Sequence, residues 1–221
     1  MRTPEVERKT ETLLQAQPPR VEEPEAKEIP WPAGLLLQQE KQPTCALQER
    51  VCVVLTQKAF TQLFGYVYAT SQEVSCLGLV ERRQSRSDST RRLASSCFIV
   101  TEFFLVRQCS GPAHTEMEDA SLAELVQRLI QEGRGEDAQR IRCWAHSHPG
   151  MGLFWSQTDE ATCRRMVSDY LISLVVTEGF GIRCRLDLAS PIRLTLDYVP
   201  VLYEMAQDEA LKETCRKEVE E

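Results

Sequence analysis

The chain has 221 residues, 42% of them hydrophobic, enough for one good core, since a single domain commonly uses about 100 to 200 residues. A formal net charge of -7 leaves no global basic field for a phosphate backbone, although Arg82 to Arg92 is locally basic, and this argues against nucleic acid as a partner. Nine cysteines, an odd number with no CxxC pair among them, do not suit a secreted fold stapled by disulfides.

Seven of the eleven prolines fall before residue 44, mixed with Glu, Lys, Arg and Gln, a composition that cannot offset the entropy of ordering by burial. Residues 1–46 therefore read as a flexible arm, with Trp31 and Leu35-Leu36-Leu37 as its only apolar cluster. The start, MRTPEVERKTETLLQAQPPR, has no uninterrupted apolar stretch of the kind a signal peptide or membrane helix requires, so no membrane partner is expected.

Residues 47–203 read as one domain. VCVVL is a strand, and Phe60, Leu63, Phe64 and Val67 recur at helical spacing, predicting an amphipathic helix over 57–70. Strands are expected at Val74 to Val80 and Cys97 to Val106, separated by a long exposed connection, Glu81 to Ser96, that could act as a lid. His114 falls in the polar segment Gly111 to Asp119 and is expected to face solvent. Leu122, Leu125, Val126 and Leu129 mark a helix, with Ser121 and Glu124 reading as its capping box. A strand from Arg140 to Ala145 leads into His146, a short helix spans about Thr158 to Ser168, and strands follow at Leu171 to Val176, Gly181 to Leu188 and Ile192 to Val199. The charged segment 204–221 suits an exposed, fraying helix or tail. Helices interleaved with strands predict an α/β class with a mixed central sheet. Cys52, Cys76, Cys97, Cys143 and Cys184 lie in apolar, strand-like runs, where free cysteine behaves as a small hydrophobe in a reducing compartment, so a cytoplasmic location is expected.

Two of the three histidines stand in His146-Ser147-His148-Pro149. If the strand continues this far, positions two apart share a face, about 6 to 7 Å along the strand. Two neutral imidazoles on one face are a natural zinc pair, and Asp159, in Ser156-Gln157-Thr158-Asp159 at the entrance to a helix, is the natural third ligand, leaving a fourth position for water. Between them, Gly150 to Trp155 supplies glycines for a tight loop and then bulky groups that could wall the site, Trp155 lining a substrate channel. The competing reading is structural: Ser156 and Asp159 also form an S-x-x-D capping box, and a zinc-bound Asp is not expected to cap freely as well. Cys163, one helical turn beyond Asp159, reads as a buried core cysteine rather than a nucleophile.

His146-Ser147-His148-Pro149, six residues, then Ser156-Gln157-Thr158-Asp159 resembles the JAMM signature of the MPN/JAB metalloproteases, and Glu73-Val74-Ser75-Cys76-Leu77-Gly78-Leu79-Val80 resembles the family's upstream glutamate segment. The resemblance covers about residues 48–200 and implies the MPN/JAB, cytidine-deaminase-like fold and one zinc ion held by His146, His148 and Asp159. It also implies that Glu73 takes the proton of a zinc-held water and that Ser156 donates a hydrogen bond to the tetrahedral oxyanion. Residues 179–199 hold only Cys184 and no histidine, so the second, structural zinc of some members is not expected.

By the same resemblance the substrate class is ubiquitin or a ubiquitin-like protein, cut after its C-terminal glycine in precursor processing or deconjugation. The compact length and the wording HSHPGMGLFWSQTD are more similar to prokaryotic JAB proteins, whose partners are E1-like and E2-like enzymes, sometimes within phage defence. Two alternatives stay open: a non-catalytic MPN scaffold, and a hydrolase of sulfur-carrier or small-substrate adducts.

Overall fold

Ten strands and four α-helices follow one another along the residues that the computed structural model describes, 51–84, 96–111, 114–118, 120–203 and 209–220. The expected arm, 1–46, and residues 85–95 lie outside the described residues. Eight strands form one mixed sheet. Its order is β10 (Val201–Tyr203), β1 (Val51–Leu55), β3 (Ser96–Leu105), β2 (Ser75–Gln84), β6 (Ile141–Ser147), β7 (Tyr170–Val176), β8 (Ile182–Leu188), β9 (Leu194–Asp197). β4 (Gln108–Gly111) and β5 (His114–Met117) form a separate hairpin. The expected mixed α/β class is what the structure has.

Strand alternation divides the core in two. Cys143 and Ala145 of β6, Ile172, Leu174 and Val176 of β7, and Ile182, Cys184 and Leu186 of β8 face one way, beneath helix α1 (Gln57–Ala69) and helix α4 (Glu209–Glu220). Leu77, Trp144 and Leu171 face the other, with Leu125 and Leu129 of α2 (Ser121–Gln131) and Cys163 of α3 (Gln157–Met166). His146 and His148 share the parity of Trp144 and so lie on the α2/α3 side.

α1 starts where Thr56 accepts a hydrogen bond from Ala59 N–H at 3.2 Å, a side-chain cap for an otherwise orphaned donor. It is more deeply buried than an amphipathic surface helix, because α4 covers the face turned away from the sheet. Gly65 makes this contact close: a Cβ there would lie 2.7 Å from Cys215 Cβ. Tyr66 donates to Glu218 at 2.6 Å, and Lys212 and Cys215 are buried. The expectation of an exposed, fraying C-terminal helix is therefore corrected for 209–220, where Glu213 and Lys217 are exposed while Lys212 is buried and Cys215 docks on α1. Phe60, Leu63, Phe64 and Val67 are each buried on α1, a gain of about 1.5–3 kcal/mol per side chain.

Four further expectations are revised. β2 does not stop at Val80 but runs to Gln84, paired with Ser96, so the connection from Glu81 is strand for its first four residues. Those paired ends stand about 30 Å from Ser75 at roughly 3.3 Å per residue, and Ser75 is the end of β2 that meets His146, so the connection does not start beside the site. The Ser121 capping box does not form: Ser121 Oγ donates to Arg107 O at 2.7 Å and Glu124 pairs with the Arg107 guanidinium, so both side chains are spent on the chain before the helix. The strand expected over Ile192 to Val199 is shorter, Leu194–Asp197, and ends at Tyr198, whose φ of 56° is left-handed; β10, at the opposite edge of the sheet, was not anticipated. Tyr198 N–H donates to Asp197 Oδ1 at 2.8 Å and its ring lies 4.3 Å from the Arg183 guanidinium, contacts that hold the unusual backbone. The β4–β5 hairpin was not anticipated, and His114 lies within it, paired through its backbone with Gly111; its side chain lies outside the described part of the structure.

The α1–α4 contact yields a test. Gly65→Ala should lower unfolding stability by about 1–3 kcal/mol in urea titration, since a methyl group there has nowhere to go without moving α4. An unchanged midpoint would mean that α4 is not docked on α1 in solution.

Candidate metal centre

β6 lies between β2, antiparallel, and β7, parallel, and this double pairing sets the end of the strand. His146 is register partner of Ser75 on one side and of Val175 on the other. Past it, Ser147 N–H donates to Val74 O at 2.9 Å, Ser147 Oγ accepts from Val74 N–H at 2.9 Å, and His148 N–H donates to Val176 O at 2.9 Å. The HSHP segment is thus stitched to both neighbours, which leaves its two imidazoles side by side. Gly78 is required upstream in β2, because a Cβ there would lie 2.9 Å from both Cys143 Cβ and a Phe103 ring carbon.

The imidazoles converge. His146 Nε2 lies 3.2 Å from His148 Nε2 and 3.3 Å from Asp159 Oδ1, and His148 Nε2 lies 3.8 Å from Asp159 Oδ2. All three residues are buried, and their ligand atoms lie within 4.8 Å of one another, so this group could hold a metal ion. His148 Nδ1 stands 3.0 Å from Gly152 O; as the donor of that bond it leaves Nε2 as a lone pair aimed into the site. His146 Nδ1 is buried with no hydrogen-bond partner among the described residues.

Asp159 serves the cap reading and the ligand reading at once. Ser156 Oγ accepts from Asp159 N–H at 3.1 Å while Asp159 Oδ2 accepts from Ser156 N–H at 2.7 Å, a complete capping box at the start of α3. Oδ1 meanwhile faces His146. A carboxylate has two oxygens, and here they divide cap and candidate ligand between them. The Ser156 hydroxyl, acting as acceptor in the cap, keeps its proton for donation elsewhere.

Glu73 is the fourth member. It lies just before β2, its N–H donating to Gly111 O at 2.9 Å, and its Oε1 is 4.0 Å from His148 Nε2. The other glutamates near strands are engaged elsewhere: Glu102 with Lys58 and Arg134, Glu81 with Arg140. Burial, and then the nearby Asp159 charge, push the Glu73 carboxyl up to about 7. For Asp159 burial pushes upward too, but the hydrogen bond and charge of His146 and the polar contact with Ser156 outweigh it and bring the carboxyl to about 2. Burial lowers His146 below its ordinary value. Near neutral pH the candidate ligands are therefore one carboxylate and an unprotonated imidazole at His146, the forms that bind metal.

The apolar wall expected from the intervening loop is present in part: Phe154 is half-exposed, and Trp144 of β6 contributes a ring that the loop does not. Trp144 stacks on the His146 ring with centroids 4.4 Å apart, Phe154 packs on His148 at 4.7 Å, and Trp155 reaches within 6.1 Å of His146. Trp155 is not a free channel lining, because its Nε1 donates to Asp197 Oδ1 at 3.4 Å and Arg183 and Arg185 lie over its ring. Cys163 is buried 3.3 Å from Ser173 Oγ, and burial pushes its thiol up to about 11, which removes it as a nucleophile. Beside the site, a cleft of about 270 Å³ is walled by Thr115 to Met117 of β5 and by Thr158, Thr162 and Arg165 of α3, over Ser75 and Trp144.

Two groups around the site were not found by sequence reasoning. Gln108 imitates a strand partner: its side-chain oxygen accepts from Ser75 N–H at 2.6 Å and its amide donates to Ser75 O at 2.9 Å, tying the hairpin to β2. Arg185 of β8 is buried with Asp187, and burial opposes its charge less than the hydrogen bonds to Asp187 and Glu160 favour it. The charged alternation Arg183, Arg185, Asp187 within an apolar strand was the one available signal.

No family model matches the chain, and no curated protein matches it. No described helix is long and apolar enough to cross a membrane.

The buried Glu73 gives a pH-dependent prediction for the metal-free protein. A carboxyl held above its unfolded value disfavours folding once ionised: the cost is absent at about pH 4, grows as pH rises through the unfolded value, and is complete above about 7, at most on the order of 3 kcal/mol. Glu73→Gln should thus be more stable than the parent at about pH 8 and equal to it at about pH 4 in urea titrations. A difference of the same size at both pH values would contradict a buried, ionising Glu73.

Proposed function

We propose that this chain is a zinc-dependent peptidase or isopeptidase of the JAMM type, on the MPN/JAB, cytidine-deaminase-like version of the α/β architecture. Its substrate would be ubiquitin or a ubiquitin-like protein, cut after the C-terminal glycine in the cytoplasm, with E1-like and E2-like enzymes as further partners. The observation that carries the reading is the convergence of His146, His148 and Asp159 with a glutamate of raised pKa beside them. The donor set fits zinc: bonds of about 2.0–2.1 Å in a tetrahedral site put neighbouring donors about 3.3–3.4 Å apart, against 3.2 and 3.3 Å for the two closest pairs here. Two imidazoles and one carboxylate leave one position open, as a catalytic site needs.

When bound, the ion would supply Lewis acidity and lower the pKa of water towards about 7. Glu73 would take the proton of the attacking water at Oε1 and return it to the amine leaving the scissile C–N bond, so no protein nucleophile is needed. Ser156 would donate its hydroxyl proton in a hydrogen bond to the oxygen that gains negative charge, an interaction worth roughly 3 to 4 kcal/mol in other enzymes. Trp144, Phe154 and Trp155 would exclude water and strengthen those interactions. The cleft between β5 and α3 supports a glycine-ended tail as occupant, because an extended chain without bulky side chains fits between a strand and a helix and finds backbone partners there.

The test is metal content together with cleavage of a ubiquitin-like fusion. The purified protein should carry about one zinc per chain, and His146→Ala with His148→Ala should lose both metal and cleavage. Glu73→Gln should keep the metal and lose turnover by at least about 100-fold, and Ser156→Ala should lower kcat by about 100-fold. Zinc with no cleavage of any fusion would favour a scaffold or a small-adduct hydrolase, and a folded protein that takes up no zinc would sink the reading.

A further inference from the structure

α3 carries both Asp159 and the Ser156 cap, yet it has little apolar surface to hold it in place. Of its residues only Asp159 and Cys163 are buried. A candidate ligand on so lightly packed a helix needs another anchor, because metal affinity depends on how firmly the ligand is oriented.

β8 provides one. Arg185 faces the α3 side, opposite Cys184 and Leu186, and is 5% exposed despite its charge. Its register partner on β7 is Ser173, small enough to leave a path across that strand. The guanidinium Nε and one terminal nitrogen donate to Asp187 Oδ2 and Oδ1 at 2.7 and 2.9 Å, and the other terminal nitrogen crosses to Glu160 Oε1 at 2.6 Å. Thr195 on β9 donates to Asp187 Oδ1 at 2.6 Å and so fixes the carboxylate that fixes the guanidinium. Glu160 follows Asp159 directly, and its N–H donates to Ser156 O at 3.0 Å. Trp155, the residue before the cap, lies 5.3 Å from the guanidinium carbon.

We propose that Arg185 is a positioning residue of the metal centre: through Glu160 and Trp155 it fixes the first turn of α3, and thereby the Asp159 carboxylate and the Ser156 hydroxyl, against His146 and His148. This rests on the reading of the triad as a metal site. It requires arginine, because a planar fork occupies Asp187 with two nitrogens while a third reaches Glu160, which a single ammonium cannot do.

The experiment uses the full chain, Arg185→Lys, and Glu160→Gln, the last at a half-exposed position that puts folding at little risk. Cobalt(II) serves as the spectroscopic probe and zinc affinity is read by chelator competition, while amide hydrogen exchange over residues 157–163 is followed in the metal-free proteins. Expected are faster exchange in the first turn of α3, an altered cobalt d–d spectrum, and zinc affinity lowered by about tenfold or more in both variants. Unchanged exchange overturns the anchor. Faster exchange with the parent's cobalt spectrum and zinc affinity overturns positioning and leaves Arg185 a purely structural residue. A parent protein that takes up neither cobalt nor zinc fails in the unsubstituted chain, so that outcome, which removes the metal reading and this proposal together, is distinguishable from the other two.

Discussion

Four side chains that water normally solvates, His146, His148, Asp159 and Glu73, are buried together at one end of β6, each under 10% exposed. Burying such groups costs free energy unless each finds a partner. Here these groups are not fully satisfied within the protein: His146 Nδ1 has no described partner, the two Nε2 atoms face each other at 3.2 Å, and burial, with repulsion from Asp159 added, raises the pKa of Glu73. A bound cation would relieve the last two, since it attracts both carboxylates and accepts both Nε2 lone pairs. The rest of the architecture can be understood as what keeps this unfavourable cluster from relaxing.

Two different kinds of structure share that task. Backbone pairing does it for the histidines: β2 and β7 grip β6 from both sides, and His148, just beyond the strand, is still held through Val176. A helix start does it for Asp159, whose Oδ2 completes a capping box with Ser156 while Oδ1 is left facing His146. Sheet and helix are joined by few apolar contacts, so charged groups carry much of the connection, with Arg185 bridging Asp187 to Glu160. A paired, hydrogen-bonded buried charge is tolerable where a lone one is not, and it brings the directional precision that an apolar contact lacks.

What was legible in the sequence was what local rules control. HSHP on a strand and SxxD on a helix start are patterns of neighbouring residues, and the structure brings those residues together, with Glu73 beside them. The order of strands and helices followed from apolar periodicity for the same reason. What escaped notice depends on distant partners. Ser121 and Glu124 look like a cap, but Arg107 captures both. QCSG and HTEM are short and polar, and they become strands by pairing with each other and through Gln108, which satisfies Ser75 from 33 residues away. α4 reads as a charged surface helix because the docking of Cys215 on α1 depends on a glycine about 150 residues earlier.

The placement of Glu73 differs from that of the glutamates on strands, and the difference suits the proton-carrying role proposed for it. On a strand its side chain would alternate into one face with fixed neighbours, as Glu81 and Glu102 do, and both of those end in pairs with cations. Glu73 instead sits where β2 has not yet begun. Its N–H is held by Gly111 and the next residue is locked to Ser147 in both directions, so the backbone that carries the buried carboxyl is fixed. At 4.0 Å from His148 Nε2 it is beyond direct hydrogen-bond reach. That gap leaves the carboxyl beside the candidate triad of His146, His148 and Asp159, which is where the proposed role in moving a proton would need it.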